Sequence, residues 1–261
     1  MISSYLYCGK NGRRNLHIVV IVPTYNEAEN LPKMVSALFA LPLDLDVLIV
    51  DDASPDGSGQ IAEELAAAHP GRMSVMHRAG KQGLATAYLQ AFQRLFKTNV
   101  DAIVHMDCDF SHDPAVLVEM AKCIESSDLV IGSRYIPGGS TDVRWPIWRK
   151  ALSAWGNFYA RAILGLATHD VTAGFRMWRR EALQAMPLER VKATGYVFMV
   201  EMCYLADCSG LRISETPVYF AERRLGKSKM SFKIQVEAAL RVWIVLWNYR
   251  DLRAKKWKNK K

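Results

Sequence analysis

Residues 101–114 read DAIVHMDCDFSHDP: a mostly apolar run, Ala102 to Met106, gives way to two carboxylates one residue apart, Asp107 and Asp109. Ser111, His112 and Asp113 follow before Pro114 closes the stretch. Aspartates at loop ends often serve only turn chemistry and solvation. Strand alternation would put Asp107 and Asp109 on one side, where both address one ligand. Two anions so placed repel, and each is costly to desolvate without a compensating cation. Mg²⁺ or Mn²⁺ bridging to a diphosphate relieves both penalties. Magnesium typically takes one or two carboxylates plus substrate phosphates, so a pair is enough.

Outward from this stretch the chain alternates. HIVVIVP (17–23), DVLIVDD (46–52), MSVMHR (73–78), DAIVHMD (101–107) and DLVIGS (128–133) read as short strands. Helical spacing fills 28–40, 58–68, 83–97 and 114–125 between them. Alternating β and α units predict an α/β fold with a mostly parallel sheet covered on both faces. Such sheets bind ligands outside the carboxyl ends of their strands. Asp51 and Asp52 end one predicted strand, and Asp107 and Asp109 end another.

Half of the 261 residues are apolar and 23% are charged, which fits one folded domain with a substantial core. The net charge of +8 is uneven, because RDLRAKKWKNKK (250–261) holds seven Lys or Arg against one Asp. The body is nearly neutral and the tail reads as detachable, with no folded element for nucleic-acid recognition. Five cysteines follow no metal-ligand spacing and read as free thiols. The first residues lack the order of a signal peptide, and no apolar run reaches the ~20 residues that cross a bilayer. The expected organisation is an N-terminal extension (1–16), a main unit (17–231), and a C-terminal amphipathic helix with the basic tail (232–261).

Beyond residue 135 two further helices are predicted. In 147–166 the residues Trp148, Leu152, Trp155, Tyr159 and Ile163 recur at spacings of three and four. In 232–249 the same pattern is carried by Phe232, Val236, Leu240, Trp243 and Trp247. These stripes either pack on the body or, with their Trp and basic residues, lie in a membrane interface. Two loops complete the set. In VPTYNEAENL (22–31) Pro23 stops strand pairing, Tyr25 offers a ring and hydroxyl, and Glu27 offers a carboxylate; Asn26 with Glu29 resembles a capping box. In VDDASPDGSG (50–59) Asp52 can accept hydrogen bonds from a base or ribose, and Asp56-Gly57 reads as turn chemistry.

Taken together, PTYNE, DDASPDG, GLATAY, MDCDFSHDP, GSRYIPGG, DVTAGFR and RRLGKSKM resemble the family 2 glycosyltransferases of the GT-A fold. The resemblance is closest to the polyprenyl- and dolichyl-phosphate mannose synthases of the short type without membrane helices, and spans about 17–232. It implies that Pro23, Tyr25, Glu27, Val50 and Asp52 hold the guanosine part of GDP-mannose. Asp107, Cys108 through its backbone, and Asp109 would meet the donor or Mg²⁺/Mn²⁺, with Asp109 the main metal ligand and Ser111 a second. Arg134, Arg223 and Lys229 would meet phosphates. Arg149 and Ser153, one helical turn apart, would join Arg134 at the phosphate of a polyprenyl or dolichyl acceptor. Asp109, Arg134 and Arg149 are thus the expected catalytic residues.

A lipid monophosphate has a second pKa near 6, so it is an anion at neutral pH and needs no general base. Its direct attack would invert the anomeric carbon. The resemblance implies an enzyme at an anionic membrane surface, peripheral on the cytoplasmic side, with no nucleic-acid partner. Nothing in Tyr25, Glu27 or Asp52 selects guanine over uracil, so a UDP-sugar transferase remains an alternative. A non-catalytic subunit that binds nucleotide sugar or lipid is the other.

Overall fold

The computed structural model describes residues 16–195, 197–222 and 232–258, with side chains throughout except at 232–236 and 257–258. The first half alternates as the sequence predicts: β1 (Ile18–Thr24), α1 (Leu31–Phe39), β2 (Leu45–Asp51), α2 (Ser58–Ala68), β3 (Met73–His77), α3 (Leu84–Leu95), β4 (Ala102–His105), α4 (Leu117–Cys123) and β5 (Leu129–Ser133). After it come β6 (Ser140–Thr141), α5 (Ile147–Leu164), β7 (Arg176–Arg179), α6 (Arg180–Gln184), α7 (Val197–Cys208), β8 (Ile213–Pro217), β9 (Tyr219–Phe220), α8 (Phe232–Asn248) and α9 (Arg250–Lys258).

Seven strands form one sheet in the order β3-β2-β1-β4-β7-β5-β8. All neighbours are parallel except β7, which runs antiparallel to both β4 and β5. The β-branched run of β1 is buried on both faces, as a central parallel strand requires. One apolar cluster packs α3, α5, α7 and α8 on one face, and a second packs α1, α2 and α4 on the other. The strand order reverses between β1 and β4, so the crevice for a ligand opens where their carboxyl ends meet.

Several local expectations are corrected. Pro23 does not end pairing altogether: β1 stays registered with β2 through Pro23↔Val50 and Thr24↔Asp51, while its ladder with β4 stops at Ile21↔His105. A parallel ladder on one side tolerates the missing N–H; continuation on both sides does not. The Asn26–Glu29 capping box does not form, because α1 starts at Leu31 and Asn26 has φ +63°. Asn30 Nδ2 instead donates to Glu27 Oε2 at 2.8 Å.

The basic tail is not detachable over its described part. It forms α9, whose Asp251 accepts both Nη1 and Nη2 of Arg190 at 2.8 Å and whose Lys256 Nζ lies 2.6 Å from Asp207. At the α8–α9 elbow Tyr249 is fully buried and donates to Glu201 Oε1 at 3.0 Å. The predicted stripes divide between the two readings. Tyr159 and Ile163 pack on the core. Ile147, Trp148, Trp155 and Phe158 of α5, and Leu240, Trp243, Ile244 and Trp247 of α8, are exposed, with Trp148 and Trp247 each at 67%. The two helices join through Tyr159, whose hydroxyl donates to Ala239 O and accepts from Trp243 Nε1. No described helix is long and apolar enough to cross a membrane, and the described cysteines, Cys108, Cys123, Cys203 and Cys208, are free thiols.

Candidate active site

The crevice is built from three loops. The first follows β1 and is fixed by the second, which follows β2. Asn26 N donates to Ser54 Oγ at 3.2 Å, Glu27 N to Ser58 Oγ at 2.8 Å, and Ala28 N to Asp56 Oδ2 at 3.1 Å. Asp56 is therefore more than turn chemistry: it ties the two loops, helped by Gly57 at φ +88°. Burial alone would raise the Asp56 pKa, but hydrogen bonds from Ser58 and Ala28 hold it below the usual carboxylate range. Asp51, buried, accepts from Thr24 and Ser54 and anchors the base of the loop.

The third loop follows β4. Because β4 ends at His105, Asp107 and Asp109 stand in a turn rather than on a strand, and alternation does not place them. Phe110 at φ +59° turns the chain instead, and Asp109 Oδ1 accepts from Ser111 N at 3.0 Å. His112, buried, accepts from Asp107 N through Nδ1 and stacks on Phe175 at 5.0 Å, which pins the turn to the sheet. Burial pushes the Cys108 thiol well above its ordinary pKa, and Glu27, Asp109 and Asp107 push it further. The β1 loop, through Glu27, and the β4 turn thus both bear on Cys108.

Other expected donor contacts are qualified by the structure. Tyr25 is on the rim, with Lys81 Nζ 3.6 Å above its ring. Val50 is fully buried, so only its backbone can meet a ligand. Asp52 is paired with Arg78, whose guanidinium also reaches Gln82, Thr86 and Gln90. Burial raises the Asp52 pKa and Arg78 only partly offsets it. Arg78 and Lys81 were not singled out from the sequence; a basic pair just after a strand end was the available signal. Arg223 and Lys229 lie outside the described residues.

The profile of glycosyl transferase family 2 matches residues 19–186. The chain belongs to that family. The polyprenol monophosphomannose synthase of Mycolicibacterium smegmatis is 44% identical over 86% of this chain and 84% of its own length. The undecaprenyl-phosphate mannosyltransferase of Micrococcus luteus is 42% identical over 92% of this chain and 99% of its own. Among solved structures, the glucosyl-3-phosphoglycerate synthase of Mycobacterium tuberculosis with Mn²⁺ and UDP superposes with TM-score 0.58 at 17% identity, over 88% of this chain and 78% of its own. A mannosyltransferase of Pyrobaculum calidifontis with GDP-mannose and Mn²⁺ superposes with TM-score 0.53 at 18% identity, over 91% of this chain and 73% of its own. These two establish the GT-A-like fold.

In this glycosyltransferase the two expected acceptor-side arginines differ in kind. Arg134, almost fully buried, donates to Asp170 through Nε and Nη2 at 2.7 and 2.8 Å and to Thr172 at 2.7 Å. Breaking such a buried pair costs about 3–5 kcal/mol, so Arg134 is held in one place, by bonds that engage Nε and Nη2 and not Nη1. Arg149 is a quarter exposed; its Nη1 alone meets both oxygens of Glu222 at 2.8 Å, and its guanidinium lies 3.7 Å over Trp145. An ion pair this open contributes roughly 0–1 kcal/mol and exchanges readily. Ser153, one turn along α5, is held by the Tyr135 hydroxyl at 2.8 Å.

A divalent cation suits the turn. Ser111 Oγ is buried and has no hydrogen-bond partner among the described residues, and carboxylate with hydroxyl is a hard oxygen set that fits Mg²⁺ or Mn²⁺. No described group of three or more His, Cys, Asp or Glu could hold a metal alone, so substrate oxygens would have to complete the shell.

Proposed function

We propose that this chain transfers mannose from GDP-mannose to a polyprenyl monophosphate with inversion, giving a β-linked mannosyl phosphodiester and GDP. The observation that carries this reading is the similarity to the undecaprenyl-phosphate mannosyltransferase, which covers nearly the full length of both chains. The position of Glu27, Asp107 and Asp109 on the loops that leave the carboxyl ends of β1 and β4 supports it, since that switch point is where a nucleotide sugar would lie.

Asp109, with Asp107 and the Ser111 hydroxyl, would hold Mg²⁺ or Mn²⁺, which when bound neutralises the diphosphate of the donor. The chain's own residues do the rest. Pro23, Tyr25, Glu27, Asp52 and the Val50 backbone line the donor end, and Arg223 and Lys229 would meet its phosphates. Arg149 and Ser153, with Arg134, would orient the acceptor phosphate. That phosphate is already an anion at neutral pH, so no carboxylate is assigned as a base. Catalysis then consists of holding two mutually repelling polyanions in line and stabilising the departing charge.

The acceptor's isoprenoid chain lies in a membrane, so the enzyme would work at a membrane surface, which we assign to the cytoplasmic face. The exposed Trp, Ile, Leu and Phe residues of α5 and α8 and the cations of α9 would supply the contact. Incubation with GDP-mannose and a short polyprenyl phosphate tests the chemistry. Mass spectrometry should show a mannosyl phosphodiester and NMR a β anomeric linkage. An α linkage would overturn direct displacement, and no product would overturn the substrate assignment.

A further inference from the structure

The acceptor end contains two groups that the reaction above does not use, Glu222 and Trp145. Glu222 is set in place through its backbone: its N–H donates to Asp142 Oδ2 at 2.8 Å, and buried Asp142 is itself clamped by Arg144. Its carboxylate, a third exposed, meets Arg149 through one nitrogen only. That is a poor use of a guanidinium, whose fork binds oxyanions best through two parallel N–H bonds. Beneath the guanidinium lies Trp145, 6% exposed, held edge-on by Phe220 with ring centroids 5.6 Å apart. Its indole N–H has no partner among the described residues. So the cation has a rigid platform, an idle donor next to it, and a weakly held anion on top.

We propose that Glu222 is a placeholder for the acceptor phosphate: it neutralises Arg149 until a phosphate monoester replaces it, while Trp145 holds the guanidinium in both states. This rests on the assignment of Arg149 to the acceptor made above. The chemistry gives the exchange a direction. A phosphate monoester carries about −1.5 to −2 charges at neutral pH and outcompetes a single carboxylate for Arg149. After glycosyl transfer the phosphodiester carries about one, and Glu222 competes with it on nearly even terms. The placeholder therefore lowers the affinity of Arg149 for both, a cost that the monoester overcomes and the diester does not, so that product leaves.

The test uses farnesyl phosphate as acceptor, with the full chain and its Glu222→Gln, Arg149→Ala and Trp145→Leu variants. Acceptor and donor KM are measured, together with calorimetric binding of farnesyl phosphate. Glu222→Gln should lower the acceptor KM and Kd about two- to fivefold, leave the donor KM in place, and strengthen inhibition by the phosphodiester product. Arg149→Ala and Trp145→Leu should both raise the acceptor KM. If Glu222→Gln raises or leaves unchanged the acceptor KM while Arg149→Ala raises it, Glu222 is a mere support and the placeholder idea fails alone. If Arg149→Ala leaves the acceptor KM unmoved, the acceptor assignment fails and takes the proposal with it.

Discussion

Arg134 and Asp170 form a closed pair: the guanidinium donates from Nε to Oδ2 and from Nη2 to Oδ1, and the Arg134 backbone N–H adds a third bond to Oδ2 at 3.0 Å. The pair joins the loop after β5 to the segment that leads into β7. Burial alone would push the Asp170 carboxyl up, but the Arg134 charge and hydrogen bonds, with Thr172, hold it below the ordinary range. A depressed folded pKa stabilises above the unfolded value near 3.9 and loses that contribution as pH falls through the folded one. Asp170→Asn should therefore cost about 3–5 kcal/mol at neutral pH. Urea unfolding from pH 7 to pH 3 should show a shallower loss below about pH 4 in the variant than in the parent. Parallel curves would contradict this.

Gly139 closes the same loop against its own start. A Cβ there would lie 2.4 Å from Ser133 O and 2.9 Å from Arg134 C, both backbone atoms. Backbone cannot swing aside as a side chain can, so Gly139→Ala should destabilise the fold by about 1–3 kcal/mol. An unchanged midpoint in urea would show that the loop has room the structure does not.

Much of this was legible in the sequence, and the limits have physical causes. The β/α alternation and the strand-end aspartates announced themselves because parallel strands buried on both faces must be continuous apolar runs. β7 was missed: RMWR carries two arginines, yet Arg176 is fully buried and donates to Ala173 O and Val171 O. No periodicity predicts a buried arginine whose partners are loop carbonyls. The same holds for α7, buried all round and therefore without an amphipathic stripe. The partners of site residues were hidden for a further reason. Asp52–Arg78, Arg134–Asp170 and Arg149–Glu222 span 26, 36 and 73 positions, so each exists only once the chain has folded.

The exposed apolar faces of α5 and α8 should make the surface contact, and α9 should tune it. Trp148→Asp with Trp247→Asp should weaken co-sedimentation with anionic vesicles at every salt concentration. Deleting 250–261 should weaken binding mainly at low salt, since each Lys or Arg near an anionic leaflet contributes ~1 kcal/mol and is screened. Turnover of a short, water-soluble acceptor should change little in the Trp variant. Equal binding by all three proteins would remove these helices from the membrane contact.

The most direct test compares radiolabelled GDP-mannose and UDP-glucose with a short polyprenyl phosphate, each with Mg²⁺ or Mn²⁺ and again in excess EDTA, using the parent chain and Asp109→Ala. Label should enter the lipid product from GDP-mannose only and be lost in EDTA and in Asp109→Ala, with the variant still folded by its unfolding curve. Full transfer in EDTA, or preferred transfer from UDP-glucose, would contradict it.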